Sequence, residues 1–207
     1  MIDTRIAVTT FIAAVAALSQ SASTPVWAGG RSKPGSSKGP KTSHPVLGSP
    51  KARVKIVVYG DLLCPYTKRL MTRVMHPLVK AHPNKVQVVW RDNPLGWRRG
   101  AVPAAVAGRE VFRQRGSKAY FAFQKLVFAN VRSIDATNLA IWAQRVGANA
   151  GKVTAALSGN AHRSWIKKDQ QAAKSQGVTG TPSSFVNGQK VTGAQPYHKF
   201  KALVDAL

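Results

Sequence analysis

Cysteine is almost missing from this 207-residue chain, and Cys64 is its one thiol. A lone sulfur cannot close a disulfide within the chain, so the fold is not a disulfide framework and any disulfide must join Cys64 to another molecule. Carboxylates are also scarce, with Asp and Glu together numbering 7 against 31 Lys and Arg. Such a count argues against a paired-acid hydrolase, which needs two carboxylates facing one bond. Glu110 is the only glutamate and is expected on an exposed helix face. The histidines His44, His76, His82, His162 and His198 lack the spacing of metal ligands, so no metal or other cofactor is expected. Long apolar runs are missing as well. The longest, Ile6–Leu18, falls short of the roughly 20 residues that span a bilayer.

That short apolar run follows Arg5, and Val26-Trp27-Ala28 supplies the small residues that cleavage requires. Residues 1–28 therefore read as a secretory signal, which places the protein in the bacterial periplasm or the extracellular space. The net charge of +24 survives removal of this leader, because Asp3 and Arg5 leave together. A charge of that size favours nonspecific association with anionic surfaces. The cations are spread from Arg53 to Lys201 rather than gathered in one aromatic-laced stripe, so no dedicated nucleic-acid site is expected. Residues 29–45, rich in Gly, Ser, Pro and Lys, read as a disordered basic linker before a domain over 46–207.

Within that domain, Arg53–Tyr59 and Lys85–Trp90 are Val-rich strands flanking a helix that starts at Pro65. Leu70, Met71, Val74, Met75 and Leu78 form its apolar face, and His76-Pro77 and His82-Pro83 mark its end. The three elements make a βαβ unit with parallel strands. Helices follow over Ala101–Phe128, Asp135–Val146, Asn149–Leu157 and Ser164–Gln176. Strands Ser183–Val186 and Gln189–Thr192 join through Asn187-Gly188, a strong hairpin signal, and a helix from Pro196 to Ala206 closes the chain. The order βαβ, helices, ββα is that of an α/β thioredoxin fold with a helical insertion at about residues 100–176.

Cys64-Pro65 lies where the first strand meets its helix. Proline suits the first helical position, leaving Cys64 as the cap with the amides of Tyr66 and Thr67 aimed at its sulfur. The positive helix end favours a thiolate, and cysteines so placed ionise at about pH 3.5–7.5 against about 8.5 for a free thiol. Lys68 and Arg69 act in the same direction, and the Thr67 hydroxyl can donate a hydrogen bond to the thiolate without forming a disulfide. The plain alternatives are a buried inert cysteine or one that cross-links two copies of the chain. Asp61, three residues upstream, is either a group that influences the thiol or a turn residue bonded to nearby amides. Far along the chain, Thr181-Pro182 stands just before a strand, where a cis proline would turn its neighbour's backbone toward an extended peptide; an ordinary trans turn is the alternative.

Several motifs occur together and in order: Gly60-Asp61 with Cys64-Pro65-Tyr66, Asn93-Pro94-Leu95, Phe121, Leu126–Asn130 and Asn138-Leu139. They continue with Gly177–Pro182, Phe185–Gly188 and Gly193–Pro196. In this the chain resembles the DsbA-like branch of the thiol–disulfide oxidoreductases in the thioredoxin superfamily, in the broad group that includes BdbD-type proteins. The resemblance implies that Cys64 is a nucleophile forming mixed disulfides with cysteine-containing exported proteins. It implies that Pro182 is a cis proline packed against the sulfur, and that the Thr181 backbone, Pro65 and Tyr66 meet the substrate. Family members carry cysteine where this chain has Thr67, so a dithiol cycle within one chain is not available. The expected activity is a single-cysteine exchange resolved by a second substrate thiol, a small thiol or a partner redox protein. The competing expectation is a redox-inactive domain that binds peptides or proteins; a glutathione-conjugating activity, for which no glutathione site is marked, ranks below both.

Overall fold

The computed structural model describes residues 42–207, so the leader and most of the expected linker lie outside the described residues. Two parallel neighbours form the centre of a five-stranded sheet: β2 (Val54–Gly60) and β3 (Val86–Asp92), paired in register from Val54 with Val86 to Gly60 with Asp92. Outside them lie β1 (Val46–Gly48), antiparallel to β3, and β4 (Ser183–Val186), antiparallel to β2. The hairpin partner β5 (Gln189–Thr192) completes the order β1-β3-β2-β4-β5. The βαβ unit and the Asn187-Gly188 hairpin are as the sequence predicts, with Asn187 and Gly188 both at positive φ. This is the mixed α/β thioredoxin fold.

Strand β1 was not foreseen. It is three residues long and held by its partner rather than by its own propensity, with the Trp90 amide extending the pairing to the Pro45 carbonyl at 2.9 Å. Residues placed in the linker by the sequence also meet the domain. The Ser43 carbonyl accepts from Arg109 at 3.2 Å and His44 Nε2 lies 2.8 Å from Asp169.

The helix after Cys64 is one rod in three parts: α1 (Pro65–Leu70), a π turn over Met71–Met75, and α2 (His76–Ala81). His76-Pro77 does not end it. The His76 amide reaches back to the Met71 carbonyl, and the wide turn lets Pro77 enter α2 in its first turn, where a missing N–H costs nothing. His82 is the actual cap. Helix α3 (Ala101–Ala129) is broken at Gly116, whose φ of 73° is one that a side chain resists. Asp135 caps α4 (Ala136–Arg145) by accepting from the Asn138 amide at 2.7 Å, and Asn149 caps α5 (Ala150–Ser158) in the same way at 2.9 Å. Helices α6 (Arg163–Ser175) and α7 (Tyr197–Asp205) complete the chain.

The sheet is covered on both faces. Val54, Ile56, Val58, Val86, Val88 and Trp90 share one core with residues of α1, α2, α3 and α7. On the opposite face Tyr59 and Phe185 pack with Ala173 of α6. Three elements meet at a buried ion cluster, where Arg109 of α3 donates from Nε to Asp92 at the end of β3 and from Nη2 to Asp169 of α6. Asp169 also accepts from the Asp92 amide at 3.0 Å.

Glu110 is not on an exposed face, because α3 turns it inward to the only groups able to satisfy it. Arg113 donates to it at 2.6 and 2.8 Å, Gln114 at 2.8 Å, and His162 Nε2 stands 2.7 Å away. Burial pushes its carboxyl upward, but the hydrogen bonds from Arg113, His162 and Gln114 outweigh burial and hold it at about 2.

Two outcomes follow from these clusters. Arg109→Leu takes the guanidinium from buried Asp92 and leaves Asp169 to His44 and Arg91, and is expected to cost about 3–5 kcal/mol in urea unfolding, partly regained when Asp92 and Asp169 are changed to Asn in the same chain. Glu110 has a depressed folded-state pKa, so it contributes stability above its unfolded value that is lost as pH falls through the folded value near 2. The urea midpoint of the wild type should therefore fall more between pH 5 and pH 2.5 (on the order of the span between the two states' pKa values) than that of Glu110→Gln.

Candidate active site

Strand β2 ends at Gly60 and the chain turns through Asp61-Leu62-Leu63 before α1 begins. The turn is held by one buried carboxylate. Asp61 accepts from the Leu63 amide at 2.7 Å and from the Leu95 amide at 3.1 Å, and its own carbonyl accepts from the Cys64 amide at 3.1 Å. Of the two readings of Asp61, the geometry is that of the turn residue. Burial pushes its carboxyl upward against the pull of the two amides and of Arg98.

Cys64 is the N-cap of α1, with Pro65 in the first helical position as expected. Its sulfur does not make the contact with the helix amides that the sequence predicts. Cys64 makes no side-chain cap bond; its thiol donates to the Thr181 carbonyl at 3.3 Å. The Thr67 hydroxyl likewise has no hydrogen-bond partner, although the residue is fully buried. Thr67 is held by packing instead: a Cβ added at Gly60 would lie 2.9 Å from Thr67 Cγ2 and closer still to the Trp90 ring.

The distant segment arrives at the same point. The Thr181-Pro182 bond is cis, Pro182 is buried, and β4 starts immediately after it. Thus Cys64, Pro65, Tyr66 and Thr67 on α1 and Thr181-Pro182 before β4 come together, joined by the contact between sulfur and carbonyl. Cys64 is 2% exposed, whereas Tyr66 is 56% exposed beside it.

Sequence reasoning passed over two residues on the far side of the sulfur. Arg98 donates to the Leu63 carbonyl at 3.5 Å, lies 3.8 Å from Asp61, and stacks its guanidinium 4.2 Å from the ring centroid of Trp97. Trp97 is 73% exposed. The adjacent Trp97-Arg98 pair, just after the Asn93-Pro94-Leu95 motif, was the available signal.

The thioredoxin family model matches residues 41–206 of the chain. The Na(+)/H(+) antiporter NhaA 3 of Salinispora tropica is 29% identical over 159 residues, covering 77% of this chain and 23% of the antiporter. The chain spans about a quarter of the length of the curated relatives it matches, 23% and 24%. Among solved structures, BdbD from Bacillus subtilis (oxidised) superposes with a TM-score of 0.73 at 20% identity, covering 79% of this chain and 91% of that one. A thioredoxin-like oxidoreductase from Silicibacter pomeroyi gives a TM-score of 0.69 at 29% identity, with the same coverages of 79% and 91%.

The close packing beneath the sulfur has a direct consequence. Gly60→Ala forces a methyl group against the Trp90 ring and Thr67, and should lower stability by about 1–3 kcal/mol in urea unfolding. An unchanged midpoint would mean that the packing under Cys64 is looser than described.

Proposed function

The chain belongs to the thioredoxin family, and from that premise we propose that it is an exported thiol–disulfide exchange protein that works through Cys64 alone. It is a thioredoxin-fold protein of the thiol–disulfide oxidoreductase-like kind. The single observation that supports the finer reading is the position of Cys64: a thiol at the start of a helix, against the Thr181 carbonyl, with Thr67 where a second sulfur would stand.

In the proposed reaction the Cys64 thiolate attacks one sulfur of a disulfide in a cysteine-containing exported protein. A bond forms between Cys64 and that sulfur while the other substrate sulfur leaves as a thiolate. A second thiol then attacks the mixed disulfide and releases Cys64 as the thiolate. If that thiol belongs to the substrate, the net change is isomerisation and no electrons are gained or lost. If it is a small thiol or a partner redox protein, the attack leaves the substrate sulfur joined to that reagent, and a second thiol of the reagent must attack this bond before the substrate is reduced and the reagent oxidised to its disulfide. Thr67 supplies a hydroxyl beside the sulfur that cannot resolve the mixed disulfide, and Pro182 packs behind it. The Thr181 backbone, Pro65 and Tyr66 form the seat for the substrate chain. Residues 1–28 act as the export signal and residues 29–45 as a basic linker in this reading. Placement beside BdbD-type proteins belongs to the same proposal. Ion transport does not: no helix of the described residues is long and apolar enough to cross a membrane, and the antiporter match covers about a quarter of those proteins.

The test is recovery of a scrambled disulfide substrate in the presence of glutathione. Wild type should accelerate recovery, Cys64→Ser should return it to the uncatalysed rate, and Thr67→Cys should create a dithiol that forms an internal disulfide detectable by mass. Equal recovery with wild type and Cys64→Ser would remove the exchange activity and leave a peptide-binding module.

A further inference from the structure

Large apolar side chains that stay exposed among the described residues include Tyr66, Trp97, Val131, Ile141, Trp165 and Leu207; of the two most exposed, Tyr66 is two residues beyond Cys64, and Trp97 stacks on Arg98, which reaches the carbonyl of Leu63 just before Cys64. Single exposed aromatics are unremarkable, but two at one reactive sulfur mark a contact surface. Each also carries a cation. Arg98 stacks on Trp97 at 4.2 Å and Arg69 on Tyr66 at 5.3 Å from the ring centroid. Arg98 Nε is buried and has no hydrogen-bond partner, and Arg69 spends one weak bond, 3.4 Å, on the Ala194 carbonyl. Lys68 and Arg99 stand exposed next to them, and a cavity of about 400 Å3 continues from Arg69 along Arg73 to Pro196 and Tyr197.

Apart from Asp61, which lies 3.8 Å from Arg98, the carboxylates of the described residues are engaged elsewhere. Asp61, Asp92, Glu110 and Asp169 are buried in their own hydrogen bonds. Asp135 caps α4, and Asp205 pairs with Lys201 on α7. The rim of Cys64 therefore combines flat aromatic faces with a cluster of cations, of which Arg98 alone stands near a carboxylate, Asp61 at 3.8 Å, while Lys68, Arg69 and Arg99 are exposed. Guanidinium forks recognise carboxylates, and stacking on a ring holds the fork in place at little entropic cost.

We propose that this rim selects its substrate by charge: it docks cysteine-bearing peptide segments that carry Asp or Glu on both sides of the cysteine, with carboxylates meeting Arg98 and Arg69 and the peptide lying across Trp97 and Tyr66. The inference rests on the exchange reading of Cys64 and names its substrate class. Acidic segments gain in rate of encounter as well as in contact, and basic segments are repelled. The gain falls with salt, because the rim is exposed and its field is screened within about 10 Å at 0.1 M.

The experiment uses reduced full-length protein and three short peptides that differ only in the residues flanking one cysteine: acidic, neutral or basic. Each cysteine is blocked as a mixed disulfide with thionitrobenzoate. The Cys64 thiolate attacks the peptide sulfur, a Cys64–peptide disulfide forms, and thionitrobenzoate leaves as a coloured thiolate, so absorbance reads the rate. At low salt the acidic peptide should react about 10-fold or more faster than the basic one, with the neutral peptide between them. The order should collapse at 1 M salt. Arg69→Gln/Arg98→Gln should flatten it. Lys68→Gln/Arg99→Gln, which touches only exposed side chains, should reduce it in the same direction. Lys51→Gln/Lys80→Gln removes the same charge at the opposite end of β2 and should leave the order intact. Equal rates for the three peptides, or an order reduced as much by the Lys51/Lys80 change as by the rim changes, would overturn charge selection at the rim while leaving the exchange reading in place. Release from none of the peptides would overturn the exchange reading, and this inference with it.

Discussion

The buried pairing of Arg109 with Asp92 and Asp169 is the constraint on which the arrangement of the domain depends. It ties the end of the central strand β3 to the helical insertion at two places, on α3 and on α6. Through the Ser43 carbonyl and His44 it also ties down the chain that leads into β1. Its value is not in net stability, since two carboxylates and a guanidinium lose most of their attraction to the cost of leaving water. Its value is in what it forbids: α3 and α6 cannot slide without exposing an unpaired charge to an apolar interior. Asp92 faces Gly60 across the parallel register, so the cluster sits one strand away from the turn that presents Cys64. The sulfur is held by a turn whose neighbouring strand is anchored at its end.

The same economy shapes the surface. A chain with 7 acidic and 31 basic residues has few carboxylates to place, and this one commits most of them to internal work. Arg109 and the Asp61 turn take three, and Glu110 is enclosed by Arg113, Gln114 and His162. What remains outside is almost wholly cationic. The positive surface thus follows in part from using carboxylates as structural acceptors, and the neighbourhood of Cys64 inherits it because its own acid, Asp61, faces inward to two amides.

Much of the fold was legible because its signals are local. Valine runs bounded by Gly, Pro and His give β2 and β3, and Asn187-Gly188 gives the hairpin. What was missed depends on groups distant in sequence. Strand β1 exists because β3 offers it an edge, and the helix passes through His76-Pro77 because the core keeps Met71, Val74 and Met75 buried across a π turn. Glu110 looked exposed because its partner His162 lies 52 positions away. At the site, Cys64-Pro65 and Thr181-Pro182 were each visible and their meeting followed from the fold. The direction of the sulfur did not, since it depends on which acceptor the folded chain brings within reach.

The position of Thr67 constrains how any exchange at Cys64 could finish. Its side chain is fully buried and packs its Cγ2 close to Gly60, where the Trp90 ring also sits, so Thr67 itself offers no surface to solvent. The open approach is over Pro65 and Tyr66 and past the Thr181 carbonyl. An incoming disulfide and a resolving thiol would have to use the same face. A mixed disulfide that covers this face blocks its own resolution until the bound chain shifts or supplies the thiol itself. Resolution from within the bound substrate needs no vacated surface, whereas an outside thiol does.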